Sequence, residues 1–419
     1  MSTDTNGKAV IVGAGHAAGV MAVNLREAGW QGSIVMVGEE AHLPYQRPPL
    51  SKAFLAGEVE IEQLYLKPVA TYERAGVEFI GATRVESIDR TARRVHLADG
   101  RALAWDKLVL ATGGRVRRLG GANAEVAARM PNFHYLRTID DVMRIRAQFL
   151  HGARLVIVGG GYVGLEVAAI ARQRGLLVTV LEAAERVLAR VTAPEVSRFY
   201  ERIHRAEGVD LRTGTQVEQF ELDASGDAVA AVVCQDGARI PADLVIVGVG
   251  LVPNTELAQA AGLEVDNGIV VDAFTRTSDP DIVAIGDCSN HPNDIYGRRL
   301  RLESVPNAME QARTAAATLC GVLKPYHSVP WFWSDQYDLK LKMTGLSQGY
   351  DQFVLRGDTG ARSFSAFYLK GGRMIAADTV SRPQDFMLSK RFIAEAIELD
   401  PAKLADDSIA LKDLLPTSS

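Results

Sequence analysis

Along the chain, short uninterrupted apolar blocks alternate with stretches whose apolar positions recur at helical spacing. This is the pattern of strands buried on both faces and joined by crossover helices. The first block, Ala9–Val12, runs into Gly13-Ala14-Gly15-His16-Ala17-Ala18-Gly19. A helical stretch follows to Ala28, Gly29 stops it, and a second block spans Ile34–Val37. The same order returns at Leu155–Val158 with Gly159-Gly160-Gly161-Tyr162-Val163-Gly164. There the helical stretch runs through Arg174, Gly175 stops it, and Val178–Leu181 closes on Glu182.

The repeat extends further. Asp99-Gly100 and Asp236-Gly237 are hairpin signals set between runs of alternating apolar residues. Each leads into a buried strand, Asp106–Gly113 in the first copy and Asp243–Gly250 in the second. These strands bring Ala111, Thr112 and Gly113, and Gly250, towards the glycine turns. Two copies of strand, glycine turn, helix and strand predict an α/β chain built on two Rossmann-like dinucleotide-binding domains.

Each glycine of such a turn has a physical task. The first allows the tight turn, the second lets a pyrophosphate approach the backbone, and the third lets helix and strand pack closely. The following helix offers unpaired N–H groups and the positive end of its dipole to the phosphates. In the first copy Ala18 stands at the third-glycine place.

The acid that ends the second strand selects among dinucleotides, because a carboxylate accepts the adenosine ribose hydroxyls and repels a 2′-phosphate. Glu182 holds that place in the second copy and favours NADH, with Arg186 nearby as the one contrary sign. In the first copy the corresponding acid is Glu39, with Glu40 beside it. Thr277–Asp287 reads as a turn, a short apolar strand and a Gly-Asp that can bring a carboxylate to the ribityl chain of FAD.

Composition narrows the classes. A chain of 419 residues calls for two or three domains, and 47% hydrophobic with 23% charged residues is globular. A net charge of -5 argues against nucleic acid as a partner. No apolar run is long enough to span a bilayer, and the polar start is unlike a signal peptide, so a soluble, cytoplasmic protein is expected. Cys234, Cys288 and Cys320 are too scattered for a CxxC pair or a metal ligand run, and no metal is expected.

The motifs VGAGHAAG, RPPLSKAFLAG, LVLATGG, FHYLRTIDD, VIVGGGYVGLEVAA, ESVPNAMEQAR and PWFWSDQYDLKLKMTG, with the Thr277–Asp287 element, cover nearly the whole chain. In them the sequence resembles the FAD-dependent ferredoxin and rubredoxin reductases of bacterial oxygenase systems, those of the putidaredoxin reductase type. The resemblance implies a glutathione-reductase-like arrangement: an FAD domain (1–114 and 249–326), an NAD domain (115–248) and a C-terminal α+β domain (327–419).

It also implies FAD contacts at Gly13, Gly15, Ala17, Glu39, Lys52, Val85, Arg137, Asp287 and Val305. The implied NAD contacts are Gly159, Gly161, Tyr162, Val163, Gly164, Glu166 and Glu182. Pro49 and Lys52 are implied beside the isoalloxazine, where a cation stabilises the reduced ring. Glu166 is implied at the nicotinamide carboxamide and paired with Lys52, and Tyr162 as a gate over the flavin face.

The resemblance further implies hydride transfer from NADH to FAD and single-electron transfer to a 2Fe-2S ferredoxin that feeds a haem-thiolate monooxygenase. His42–Pro48 lacks the redox cysteine of related disulfide reductases, so electrons must leave for an acceptor outside the chain. Phe332, Trp333, Lys340, Lys342, Lys390 and Arg391 are the candidates for an aromatic and basic docking face towards an acidic ferredoxin. A monomer is expected. The alternatives are a rubredoxin or dioxygenase-ferredoxin reductase, an NADH:quinone or small-molecule oxidoreductase, and a signalling flavoprotein akin to apoptosis-inducing factors.

Overall fold

The computed structural model describes residues 5–416. The chain forms two compact units. One takes in the chain through Gln46, Glu62–Arg115 and Val252–Pro330; the other takes in Arg47–Ile61, Val116–Leu251 and the chain from Trp331.

In the first unit a parallel sheet has the order Ile282–Ala284, Lys107–Leu110, Ala9–Val12, Ile34–Val37, Val77–Ile80. The uninterrupted apolar blocks are explained by two cores. Ala9 and Ile11 face one with Met21, Leu25 and Ala312. Val10 and Val12 face the other with Ile88, Leu97 and Trp105. Successive side chains of a strand point to opposite faces, so a strand buried on both must be apolar throughout.

In the second unit the order is Asp210–Arg212, Leu177–Leu181, Arg154–Val158, Leu244–Val247, Phe133–Tyr135, again parallel. The repeat seen in sequence is therefore a repeat of strand order. It includes a three-stranded antiparallel sheet in each unit, Val85–Asp89 to Ala102–Ala104 and Val217–Leu222 to Arg239–Pro241. Gly100 and Gly237 turn these hairpins with φ of 87° and 84°, which glycine adopts without strain.

The outer strand beside the third is where the copies differ. Ile282–Ala284 arrives late in the chain in the first unit, whereas Phe133–Tyr135 precedes the repeat in the second.

The C-terminal region is α+β. An antiparallel sheet, Trp331–Gln336, Leu339–Gly345, Arg373–Val380, Ser363–Lys370, Gln352–Asp358, carries the helix Pro383–Ala394. It belongs to the second unit, as does Arg47–Ile61, a segment inside the expected FAD domain. The reason is side-chain bonding: Arg47 Nη1 donates to the carbonyl of Arg137 at 2.6 Å, and Ser51 and Lys52 both bond Glu166. Among the described residues no helix is long and apolar enough to cross a membrane.

Candidate cofactor sites

The two glycine turns are built alike. Gly13 and Gly159 have φ of 110° and 116°, and a Cβ on either would lie 2.2 Å from the carbonyl oxygen of Ala111 or 2.4 Å from that of Gly248. Chain geometry alone requires these glycines. Gly15 and Gly161 are different: their φ is -81° and -80°, and a Cβ on either meets nothing within 4 Å. Nothing in the protein demands glycine there, which fits a cradle kept open for a pyrophosphate.

The helices that follow, His16–Glu27 and Tyr162–Gln173, have no side-chain cap and no acid in the first turn, so their N–H groups stay available to an anion. His16 Nδ1, at the start of the first helix, is buried with no hydrogen-bond partner among the described residues.

The acids that follow the second strands are not in register. Gly13 and Gly159 donate to the carbonyls of Val37 and Leu181 at 2.8 Å, which makes Gly38, not Glu39, the counterpart of Glu182. The cause is steric. A Cβ on Gly38 would lie 2.6 Å from the Cβ of Ala14. In the second unit the exchange is reversed, since Gly160 occupies the place of Ala14 and leaves room for the side chain of Glu182. A Cβ on Gly160 would lie 3.1 Å from that of Glu182.

Glu182 is held by two backbone donors, Gly160 N–H at 2.7 Å and Ala184 N–H at 2.8 Å. Arg186 is engaged elsewhere, donating to the carbonyls of Thr192 and Ala189 and to Ser197 Oγ. Glu39 is exposed, and Glu40 accepts from the Tyr45 hydroxyl at 2.6 Å.

In the first unit the glycine turn, the Gly-Asp element and a late helix converge. Gly286 adopts a φ of 77°, and a Cβ there would lie 3.1 Å from that of Ala17. Gln311, on the helix Val305–Leu319, accepts from Gly286 N–H at 2.7 Å and Ser289 Oγ at 2.8 Å, and so fixes the short turn that carries the half-buried Asp287. Asn254 supports the third strand by bonding both Thr112 and the carbonyl of Gly113. Val85 is buried in the core under the sheet, so only its backbone is offered to a ligand. Neither Gln311 nor Asn254 was singled out from sequence.

In the second unit Gly164 packs helix on strand, since a Cβ there would lie 2.1 Å from the carbonyl oxygen of Gly159. Val163, in the first helical turn, is 43% exposed, an apolar side chain left facing outward. Tyr162 points its hydroxyl at Met343 Sδ, 2.5 Å away, and packs its ring 5.2 Å from that of Phe332. Gly250, with φ of 107°, accepts from Arg117 N–H at 2.9 Å.

Three side chains meet at Glu166. Pro48–Ser51 forms a single 3-10 turn, and Lys52 leaves it with φ of -133° and ψ of -119°. Its Nζ then lies 2.6 Å from Glu166 Oε2, which Ser51 Oγ also approaches at 2.5 Å. Ser334 Oγ donates to Oε1 at 2.6 Å. Burial raises the Glu166 pKa, opposed by the charge and hydrogen bond of Lys52 and by the two serines. Pro49 is half-buried in the same turn, and Arg137 lies in this unit just before the capped helix Ile139–Arg146.

The family resemblance implied the Lys52–Glu166 pair but not the serines. The available signal was Ser334 and Gln336 in WFWSDQ, two polar residues spaced to share one face of a strand, and both prove buried. A second missed cluster joins Thr192, Tyr368 and Asp378, in which both hydroxyls donate to Asp378 Oδ2 at 2.6 and 2.5 Å.

The expected docking side chains divide into two kinds. Lys340 pairs with Asp335 and Arg391 with Glu395. Lys342 rests its Nζ 5.2 Å over the ring of Phe386, and Lys390 the same distance over Trp331. Trp333 is half-buried, with its ring tilted against that of Trp331 at 5.6 Å between centroids.

Residues 7–312 match the pyridine nucleotide-disulphide oxidoreductase model and residues 331–415 the reductase C-terminal model. The chain belongs to the pyridine nucleotide-disulphide oxidoreductase family. It is similar to the putidaredoxin reductase of Pseudomonas putida, 51% identical with 98% of this chain and 97% of that protein covered. It is also similar to a ferredoxin–NAD(P)(+) reductase of a Sphingomonas species, 42% identical with 99% of each covered. Among solved structures, the covalent putidaredoxin reductase–putidaredoxin complex superposes with a TM-score of 0.95 at 51% identity, covering 98% of both chains.

Within the family this chain is a ferredoxin-reductase-type flavoprotein that uses FAD and NAD(H). The family is named for a disulfide, yet Cys234, Cys288 and Cys320 are free thiols whose pKa values burial raises. A buried, protonated thiol is a poor redox group.

Proposed function

We propose that this ferredoxin reductase passes electrons from NADH through FAD to a 2Fe-2S ferredoxin serving a haem-thiolate monooxygenase. The observation that carries the reading is the presence of two open glycine cradles and an ion pair of Lys52 with the buried Glu166 in a chain lacking a redox thiol. FAD, when bound, accepts two electrons as hydride and releases them singly. The protein's own task is then to bind and orient two dinucleotides, exclude water and fix charge near the reacting rings.

In this reading the first unit holds FAD on Gly13, Gly15, Ala17 and Asp287, with the ribose near Glu39. Val85, Val305, Arg137, Pro49 and Lys52 are further proposed flavin contacts. The second unit holds NADH on Gly159, Gly161, Tyr162, Val163 and Glu182, with Glu166 at the carboxamide. The commitment of Arg186 to Thr192, Ala189 and Ser197 supports NADH over NADPH, because its guanidinium is already in use. The two parallel sheets and the antiparallel C-terminal sheet support domains at 1–114 with 249–326, 115–248 and 327–419. Trp333, Lys340, Lys342 and Lys390 are proposed to meet the ferredoxin, with the chain acting as a monomer.

The test is steady-state reduction of a putidaredoxin-type ferredoxin by NADH and by NADPH. Turnover with NADH alone is expected. Bleaching of the flavin by NADH with the ferredoxin left oxidised would overturn the acceptor and redirect the search to a rubredoxin, a dioxygenase ferredoxin or a quinone.

A further inference from the structure

The carboxylate of Glu166 is the end of a longer chain of hydrogen bonds inside the second unit. Ser334 Oγ lies 2.6 Å from Glu166 Oε1, and Gln336 Nε2 lies 3.2 Å from Ser334 Oγ. Gln336 Oε1 lies 2.8 Å from His204 Nε2, and His204 Nδ1 lies 3.3 Å from the Tyr337 hydroxyl. Ser334, Gln336 and His204 are buried, and Tyr337 is half-buried in the turn between the first two strands of the C-terminal sheet, with φ of 55°.

The direction of every link follows from chemistry. A carboxylate can only accept, so Ser334 donates to it and its oxygen is left to accept from the amide nitrogen of Gln336. The amide oxygen of Gln336 then accepts from His204, so the imidazole proton sits on Nε2. Nδ1 carries none and accepts from Tyr337. Burial lowers the His204 pKa to about 4, which keeps the ring neutral and single-protonated near pH 7, and burial raises that of Tyr337, which keeps its proton to donate. The donors therefore all point one way, towards Glu166. Aligned donors polarise one another, and each strengthens the next. The chain cannot conduct protons, because passage through Gln336 would require an imidic acid. Its effect is electrostatic and orienting.

We propose that Ser334, Gln336, His204 and Tyr337 are positioning residues that hold Glu166 ionised and correctly aimed for the NADH half-reaction. The role in that half-reaction rests on the reading that Glu166 meets the nicotinamide. Four other groups face Glu166. Lys52 and Ser51 come from the turn before it, Tyr162 lies on its own helix, and Tyr200 lies on the helix Pro194–Ala206. Lys52 is the cation among them and fixes Oε2, so the chain's share is the control of Oε1.

The experiment uses the FAD-loaded full chain and the variants Ser334→Ala, Gln336→Leu and Tyr337→Phe. Ser334→Thr and Tyr337→Phe keep most of the native packing and guard against simple misfolding. The first readout is the infrared carbonyl band of protonated Glu166 as a function of pH, assigned by its loss in Glu166→Gln and recorded without NADH. The second is the pH profile of flavin reduction by NADH.

The titration midpoint is expected to rise by about one pH unit in Ser334→Ala and Gln336→Leu, tenfold in the protonation equilibrium. A smaller rise is expected in Tyr337→Phe, and Ser334→Thr should restore the native value. The acid limb of the rate profile should move with it. Unchanged infrared midpoints in folded Gln336→Leu and Tyr337→Phe would overturn the inference. A shifted midpoint with an unmoved rate profile would sustain the donor chain and overturn the placement of Glu166 at the nicotinamide.

Discussion

Lys52 and Glu166 come from distant parts of the chain, yet Nζ of one lies 2.6 Å from Oε2 of the other, where the carboxylate is only 3% exposed. Removing one member of such a pair leaves a charge with little water to solvate it. Lys52→Met is therefore expected to favour the neutral form of Glu166 and to slow flavin reduction by NADH at least about tenfold. Lys52→Arg should lose less. Stopped-flow bleaching of the flavin measures both, and equal rates in Lys52→Met and the native protein would sink the prediction.

The glycines of one turn should separate into structural and ligand-facing kinds. Gly159→Ala forces a Cβ to 2.4 Å from the Gly248 carbonyl at a φ of 116°, and a loss of about 3 kcal/mol of stability is expected. Gly161→Ala meets no protein atom within 4 Å, so its melting temperature should stay close to native while the KM for NADH rises about tenfold or more. Gly15→Ala should act in the same way on FAD retention. Thermal melts beside NADH titration and flavin content read all three.

How much of this was legible beforehand depended on how local each cause is. The glycine turns, their helix stops and the Asp-Gly hairpins announce themselves because a few adjacent residues set the backbone. The one-residue offset between Glu39 and Glu182 was hidden, because it depends on whether residue 14 or residue 38 carries the side chain in that space. Ser334 and Gln336 were opaque for a related reason: their value lies in Glu166 and His204, which another segment of the chain must supply. The short strand within Thr277–Asp287 was legible, but its place in the sheet was not, since Ile282–Ala284 and Phe133–Tyr135 enter like positions from opposite ends of the repeat.

Asp378 gives a pH prediction with a definite sign. Burial raises its pKa from 3.8 to about 6. Because the folded state holds this proton more tightly than the unfolded chain, the contribution is full below about pH 4 and declines as pH rises through 6, by about 3 kcal/mol in all. Asp243 and Asp281, whose pKa values are lowered, act in the opposite sense, so the useful quantity is a difference. Asp378→Asn keeps an acceptor for Thr192 and Tyr368 and should remove this slope. Denaturant melts at pH 4.5 and 7.5 should show the variant gaining on the native protein at the higher value; parallel curves would refute it.

The docking reading predicts a split between two half-reactions. Charge reversal at Lys342 or Lys390, both resting on aromatic faces, should weaken ferredoxin reduction several-fold and flatten its salt dependence. Flavin bleaching by NADH should be untouched. Equal losses in both reactions would mean that these lysines support the fold rather than meet the acceptor.

The reciprocal placement of Ala14 with Gly38 and of Gly160 with Glu182 limits how such a gene can diverge after duplication. An acid at position 38 collides with the methyl of Ala14, and a methyl at position 160 crowds Glu182, so neither turn reaches the other's state by one acceptable substitution. The route has an order: the methyl must go first, leaving a small void, and only then can the carboxylate arrive. Each turn is thus held to its own side-chain arrangement by a partner residue of the protein itself.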